Sequence, residues 1–382
     1  MDRIGIIGAG AMGSGIAQVA AMSGADVVIY DQNDAALQKA KNSIQKSLSK
    51  FFEKGKITAE DLTATFGRIK FADGLMAMTD TELVIEAIIE NIEIKQNLFI
   101  ELEKIVAPHT ILASNTSSLS ISALSRVCNN PKRVVGVHFF NPPVLMKLVE
   151  LVPGLATDEE VLNKVDQTLS SWAKIVVRAK DTPGFIVNKI ARPYYGEAFR
   201  IYEERIATPA QIDSCMTERG GFRMGPFALT DFIGHDVNYA VTESVWKAFY
   251  YDNRYRPSLV QKALVDAGYL GKKTGRGFYD YTSESKTFDT GDIDEQTSTM
   301  IFMRIISMLV NEAADTVHRG ICTEKDADLA VVYGVNYPRG LFEWGRNIGL
   351  NNIIDTLDDL YDQYREERYR ISPYLKKIAK SE

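Results

Sequence analysis

The stretch Arg3-Ile4-Gly5-Ile6-Ile7-Gly8-Ala9-Gly10-Ala11-Met12-Gly13 decides the fold. A short apolar run of strand type, Ile4–Ile7, passes into a GxGxxG turn, and a helix-forming run begins near Ser14. Glycine spacing alone also describes an ordinary glycine-rich turn. The strand before it and the helix after it are the context that a dinucleotide-binding turn requires. There the glycines allow a tight turn, approach of the backbone to a pyrophosphate, and close helix–strand packing, while the helix N-terminus turns its positive end toward the phosphates. The next strand, Val27-Val28-Ile29-Tyr30-Asp31, ends on a carboxylate eighteen residues after Gly13. Asp31 at that place accepts both ribose hydroxyls of an adenosine and repels a 2′-phosphate. Gln32 and Asn33 follow, with no arginine to neutralise one, so the pattern predicts NAD as cofactor rather than NADP. The competing reading of Asp31 is a plain helix cap.

Outward from this unit, apolar strands alternate with amphipathic helices, the pattern of an α/β Rossmann-like sheet. Strands are expected at Arg3–Ile7, Asp26–Asp31, Arg68–Phe71, Leu83–Ala87, Thr110–Ser114 and Arg133–His138, with long helices at about 34–52 and 94–106. From Pro183 to about Ala267 the text is almost wholly helical, and Thr182-Pro183 reads as a cap with proline at the first helical position. The Ser/Thr-rich, acidic stretch 282–299 reads as a linker. Shifting the chain by 115 residues aligns Ile190 with Ile305, Glu197 with Glu312, Thr208 with Thr323, Asp213 with Asp328, Gly225 with Gly340, Phe227 with Phe342 and Gly234 with Gly349. The expected plan is therefore a Rossmann-like domain at 1–181 and an all-α domain in two tandem copies, 182–281 and 300–382, the second one shortened.

The 382 residues are 45% hydrophobic and 25% charged, proportions that exclude a disordered chain, and the formal net charge of −6 argues against a nucleic-acid-binding role. No apolar run approaches a membrane span, and no charged-then-apolar leader precedes Ile4. Cys128, Cys215 and Cys322 are odd in number and far apart, which suggests neither a disulfide framework nor a metal site. The expectation is a cytoplasmic protein without nucleic-acid or membrane partners.

Of the four histidines, His138 alone ends an apolar strand on the side where such sheets hold their ligands. After Phe139-Phe140-Asn141-Pro142-Pro143 comes a second strand-like run, Met146–Leu151, carrying Glu150 as a charge among apolar residues. Paired as a hairpin, the two runs bring Glu150 to His138, and such a carboxylate orients an imidazole and stabilises its protonated form. A histidine at a strand end is also compatible with a purely structural role.

The runs Asn115-Thr116-Ser117-Ser118-Leu119, His138-Phe139-Phe140-Asn141-Pro142, Asp181-Thr182-Pro183-Gly184-Phe185-Ile186-Val187-Asn188, Met224-Gly225-Pro226-Phe227 and Gly271-Lys272-Lys273-Thr274-Gly275-Arg276-Gly277-Phe278-Tyr279 resemble, in order and spacing over residues 1–281, the signatures of NAD-dependent 3-hydroxyacyl-CoA dehydrogenases. The longer chain, with Val335-Asn336-Tyr337-Pro338-Arg339-Gly340 in its last part, is similar to bacterial members such as the 3-hydroxyadipyl-CoA dehydrogenases of phenylacetate breakdown. The resemblance implies that His138 takes the proton of the substrate's 3-hydroxyl, that Glu150 holds the other ring nitrogen, and that Ser117 and Asn188 contact the reacting oxygen. It maps the NAD contacts to Gly8, Gly10, Met12, Gly13, Asp31, Glu90, Lys95, Asn115, Ser117, Asn141 and Lys273, and CoA contacts to Ser47 and Lys54. Lys46, Lys50 and Lys54 also fall on one helical face with Lys56 just beyond, which fits either a patch for the anionic coenzyme or a solvated charged face.

Met303 stands where the offset places Asn188, so the second copy is expected to be non-catalytic. In the family that the chain resembles, single-copy members commonly dimerise through the helical domain. Residues 300–382 are expected to take that partner's place, favouring a monomer; otherwise a homodimer is expected. Two other functions fit less of the sequence: a dehydrogenase of a 3-hydroxy acid lacking CoA, and a non-catalytic NADH-sensing protein. The second would have no use for the retained His138, Glu150, Ser117 and Asn188.

Overall fold

The computed structural model describes residues 1–282 and 291–381. Two compact units divide the chain, Met1–Phe185 and Ile186–Glu382.

The first unit is built on eight strands: β1 (Arg3–Ile7), β2 (Asp26–Tyr30), β3 (Ile69–Ala72), β4 (Leu83–Glu86), β5 (Ile111–Ser114), β6 (Val134–Phe139), β7 (Leu148–Pro153) and β8 (Ile175–Arg178). Their order is β3-β2-β1-β4-β5-β6-β7-β8, and every pairing is parallel except β6 with β7. Strands of a parallel sheet covered on both faces read as unbroken apolar runs, and β1, β4 and β5 do. From β1 the chain passes to β2 on one side, while β4 lies on the other. This switch opens a crevice at the C-terminal strand ends, where such sheets bind ligands.

The helix Asp34–Glu53 shows how local sequence sets the layers. Asn33 caps it by accepting from the Ala35 N–H at 2.9 Å, and Leu37, Ala40, Ile44 and Leu48 form its buried stripe. Lys46, Lys50 and Lys54 are left exposed on the other side.

Three expectations need correction. No helix starts at Pro183: residues 183–186 form a turn in which Gly184 (φ 73°) and Phe185 (φ 46°) are left-handed, and the helix begins at Val187. The strand β8 and the helix Ala59–Gly67, opened by a Thr58–Asp61 capping box, were not anticipated. Of the expected linker, residues 283–290 lie outside the described residues, whereas 295–299 belong to the helix Glu295–His318, capped by Asp294.

The second unit is helical, and Glu295–His318 runs through its centre, with every residue from Arg304 to Thr316 buried. Such a helix must neutralise the charges it carries. Arg304 donates to Glu197 Oε1 (2.7 Å) and Glu204 Oε2 (2.7 Å), Glu312 accepts from the Tyr255 hydroxyl (2.5 Å) and from Lys189, and Asp315 pairs with Arg254 (3.1 Å). Tyr369 in turn donates to Glu197 Oε1 at 2.7 Å.

Residues 115 apart share local geometry. Asp213 and Asp328 each accept from a helix-opening N–H, those of Phe227 and Phe342, at 2.8 Å. A Cβ on Gly225 or Gly340 would stand 2.3 Å from Asp213 or 2.2 Å from Asp328. Gly234 and Gly349 close the following helices at φ 99° and 95°.

Candidate active site

Antiparallel pairing of β6 with β7 puts His138 directly opposite Glu150. The His138 Nδ1 and Glu150 Oε2 lie 2.6 Å apart, and the carboxylate is wholly buried. With Nδ1 donating to Glu150, Nε2 is the nitrogen left to accept a proton. Phe140 and Phe185 flank the ring at 4.5 and 6.0 Å between centroids. An acceptor nitrogen backed by a fully desolvated carboxylate is suited to carry a proton away from a substrate and to return it.

The strand ends beside this pair are organised by a second carboxylate network. Lys95 is buried with its Nζ 2.8 Å from Glu86 Oε2 and 3.3 Å from Glu90 Oε2. Glu90 accepts from the Thr116 hydroxyl (2.5 Å), the Ser117 N–H (3.1 Å) and the Ser118 hydroxyl (3.1 Å), which fixes the turn presenting Ser117. Burial pushes the Glu90 carboxyl up, but the Thr116 hydroxyl and Lys95 outweigh it and hold the group below the usual range. Asn115 accepts from the Phe139 N–H at 2.9 Å, tying the end of β5 to β6 and leaving its Nδ2 to donate elsewhere. Asn141, past the end of β6, is exposed. The role of Glu86 was missed from sequence; its signal is a charge closing an otherwise apolar strand, as Glu150 is within β7.

The crevice beside β1 fits a dinucleotide. Gly8 is left-handed (φ 100°) and a Cβ there would meet Ala87 O at 2.6 Å; one on Gly13 would meet Gly8 O at 1.8 Å. A Cβ on Gly10 would meet nothing within 4 Å, so the protein's own packing does not explain that glycine, whereas an approaching pyrophosphate does. No side chain caps the helix Ala11–Met22, and the N–H groups around Met12 remain available to an anion. Asp31 accepts from the Ala9 N–H (2.7 Å) and the Asn33 N–H (2.9 Å), which holds its carboxylate at the crevice with lone pairs to spare. A cavity of about 520 Å³ follows, lined by Gly8, Gly10, Asp31, Leu75, Ile88 and Ile94, polar at the ribose end and apolar beyond.

The other expected residues lie on further elements. Ser47 is half-buried on the helix Asp34–Glu53, and the exposed Lys54 follows its end. Asn188 and Lys273 belong to the second unit: Asn188 is half-buried on the helix Val187–Ile190, and Lys273 Nζ is 2.6 Å from Asp236 Oδ1. In that unit the motif glycines admit buried carboxylates. A Cβ on Gly277 would stand 2.1 Å from Asp231, which accepts from the Phe278 and Tyr279 N–H groups at 3.0 Å.

A dinucleotide crevice on the same sheet as a His–carboxylate pair defines a nicotinamide-dependent dehydrogenase. Family models for the NAD-binding and C-terminal domains of 3-hydroxyacyl-CoA dehydrogenase match residues 3–182, and residues 184–281 and 300–382, respectively. A 3-hydroxyadipyl-CoA dehydrogenase of Escherichia coli K12 is 37% identical over 99% of this chain and 98% of its own. A probable 3-hydroxybutyryl-CoA dehydrogenase of Deinococcus radiodurans is 45% identical over 73% of this chain and all of its own. The crystal structure of a 3-hydroxybutyryl-CoA dehydrogenase from Escherichia coli K12 superposes with a TM-score of 0.95 at 36% identity, covering 100% of this chain and 98% of that one. The chain belongs to the 3-hydroxyacyl-CoA dehydrogenase family, and it is an NAD-dependent enzyme of that activity. Among the described residues no helix is long and apolar enough to cross a membrane.

Proposed function

We propose that the enzyme oxidises the 3-hydroxyl of (S)-3-hydroxyacyl-CoA esters with His138 as the base. The observation that carries this reading is the buried 2.6 Å contact of His138 Nδ1 with Glu150. NAD, when bound, supplies the acceptor for the hydride leaving C3. His138 takes the hydroxyl proton on Nε2, and Glu150 stabilises the imidazolium that results. Ser117 and Asn188 donate to the oxygen as it gains alkoxide character, an interaction strongest between ground state and product. In the reverse direction the same imidazolium returns the proton to a 3-oxo group.

Gly8, Gly10, Met12 and Gly13 hold the pyrophosphate and Asp31 the adenosine ribose. Glu90, Asn115, Ser117, Asn141 and Lys273 serve the nicotinamide half, with Lys95 acting through Glu90. Ser47 and Lys54 take the CoA moiety. Lys46, Lys50, Lys54 and Lys56 have no carboxylate partner among the described residues, which suits an anionic coenzyme on an otherwise acidic protein. The working location is the cytoplasm, in degradation of fatty or aromatic acids. The butyryl and adipyl esters named for its relatives are the first acyl groups to try.

The domain plan follows as 1–181, 182–281 and 300–382, with the last two as copies of one helical domain. Reciprocal contacts support the duplication. Glu312 receives Tyr255 and Lys189, while Glu197 receives Tyr369 and Arg304, the residues found 114 or 115 positions later. Phe222 and Tyr337, also 115 apart, meet each other at 5.0 Å. Residue i touching j′ while i′ touches j, with an equivalent pair meeting itself, is the mark of a two-fold interface. The second copy thus fills the place of a dimer partner, and the enzyme is a monomer.

The test is NADH formation from (S)- and (R)-3-hydroxybutyryl-CoA and from free 3-hydroxybutyrate. Turnover confined to the (S)-thioester is expected; equal turnover of the free acid would overturn the assignment.

A further inference from the structure

Five arginines are buried among the described residues, and four of them meet carboxylates: Arg133 with Glu103, Arg254 with Asp252 and Asp315, Arg304 with Glu197 and Glu204, Arg368 with Glu366. Arg192 does not. It opens the helix Arg192–Glu203 and is 7% exposed. Its Nη1 donates to the Thr242 hydroxyl at 2.9 Å, its guanidinium lies 5.1 Å from the centre of the Tyr195 ring, and its Nε has no partner among the described residues. A buried guanidinium without a counter-charge is costly, and burial alone pulls its pKa down from the usual arginine value.

A second orphan lies beside it. Tyr337 is 4% exposed, packs on Tyr194 (5.7 Å) and Phe222 (5.0 Å), and its hydroxyl has no hydrogen-bond partner among the described residues. Burial pushes that hydroxyl's pKa up, and the charge of Arg192 opposes the push, so the two groups share one electrostatic neighbourhood. Two buried donors without an acceptor point to an anionic acceptor supplied from outside the chain.

The internal duplication supplies a control. At the 115-residue offset, Asn188, Arg192 and Tyr337 correspond to Met303, Ser307 and Phe222. The guanidinium and the phenol therefore stand only on the side of the copy that keeps Asn188. Asn188 and Arg192 are four residues apart on backbone that is right-handed helical through Ala191, which puts their side chains on one face.

We infer that Arg192 and Tyr337 form a carboxylate subsite for the far end of the acyl chain, so that the preferred substrate is a 3-hydroxydicarboxylyl-CoA. This rests on Asn188 meeting the 3-oxygen. In a six-carbon diacid the 3-carbon and the distal carboxyl carbon are three bonds apart. That is on the order of 4 Å, with a hydrogen bond of about 2.8 Å at either end, a span suited to two side chains one helical turn apart. A methyl terminus in the same place would leave both donors unmet. The second helical copy then does more than cover a surface, since it lends Tyr337 to substrate selection.

The test compares kcat/KM for 3-hydroxyadipyl-CoA and 3-hydroxyhexanoyl-CoA, esters of equal chain length, in the wild type, Arg192→Met and Tyr337→Phe. We expect the wild type to favour the diacid by roughly ten- to hundred-fold, as charge-assisted hydrogen bonds allow. That ratio should collapse toward one in R192M and fall by a smaller factor in Y337F. A wild-type ratio near one, or a ratio unchanged in both variants, would overturn the subsite, since a structural buttress lowers both substrates together. Should R192M fail to fold, Y337F removes only a hydroxyl and decides alone. Failure of the wild type to oxidise either ester would instead sink the dehydrogenase reading beneath it.

Discussion

His138 and Glu150 face each other across antiparallel strands, ring nitrogen to carboxylate oxygen at 2.6 Å, with the carboxylate shut away from solvent. Glu150→Gln keeps the shape but loses the charge that stabilises an imidazolium. It should lower kcat by roughly 10²-fold or more while leaving NAD affinity, read by fluorescence titration, within about two-fold of wild type. An unchanged kcat would remove Glu150 from the mechanism.

Gly10 and Gly13 belong to one motif yet answer to different constraints. A Cβ on Gly13 would press on Gly8 O at 1.8 Å, whereas one on Gly10 meets no protein atom. Gly13→Ala should therefore destabilise the fold by several kcal/mol (about 3 or more), seen as a lower Tm. Gly10→Ala should keep its Tm and bind NAD at least about ten-fold more weakly. Equal Tm losses in the two variants would contradict the division.

The motif, β1 to β6 and the His138–Glu150 pair were legible in sequence because each depends on local pattern: apolar runs, glycine spacing, and a lone charge in a strand. What was not legible depends on contacts between distant segments. β8 is a largely β-branched run of four residues, Ile175–Arg178, too short to stand out in sequence, and it is held by pairing with β7. The turn at 183–186 looks like a proline-led helix start until Gly184 and Phe185 adopt left-handed backbone. Lys95 enters the sequence reading only as a cofactor contact implied by resemblance, and the fold alone shows it buried against Glu86. Nothing near Arg192 in sequence announces that its neighbour is Tyr337, nor that it alone among the buried arginines of the described residues lacks a carboxylate.

Asp315 provides a pH signature of the helical unit. Burial raises its pKa, but Lys189, Arg254 and Arg319 outweigh that and lower it to about 2. The folded-state pKa lies below the unfolded one, so the stabilisation is full above about pH 4 and drains as the pH falls toward 2, on the order of 2 kcal/mol. Urea unfolding followed from pH 6 downward should show this loss, and Asp315→Asn, less stable at neutral pH, should show a flatter dependence. A variant as pH-dependent as the wild type would show that Asp315 is not the group responsible.

If residues 300–382 fill a partner's place, removing 282–382 exposes the faces that carry Lys189, Glu197 and Tyr255. Sedimentation of the truncated chain should then report a dimer or aggregate, and of the full chain a monomer. A soluble, active, monomeric truncation would contradict the substitution of copy for partner.

The role of His138 as acceptor of the 3-hydroxyl proton is tested by the rate of NADH formation from (S)-3-hydroxybutyryl-CoA by His138→Ala under saturating NAD. A fall in kcat of ~10²–10⁴-fold with NAD binding intact is the result predicted. A rate within a few-fold of wild type would contradict it.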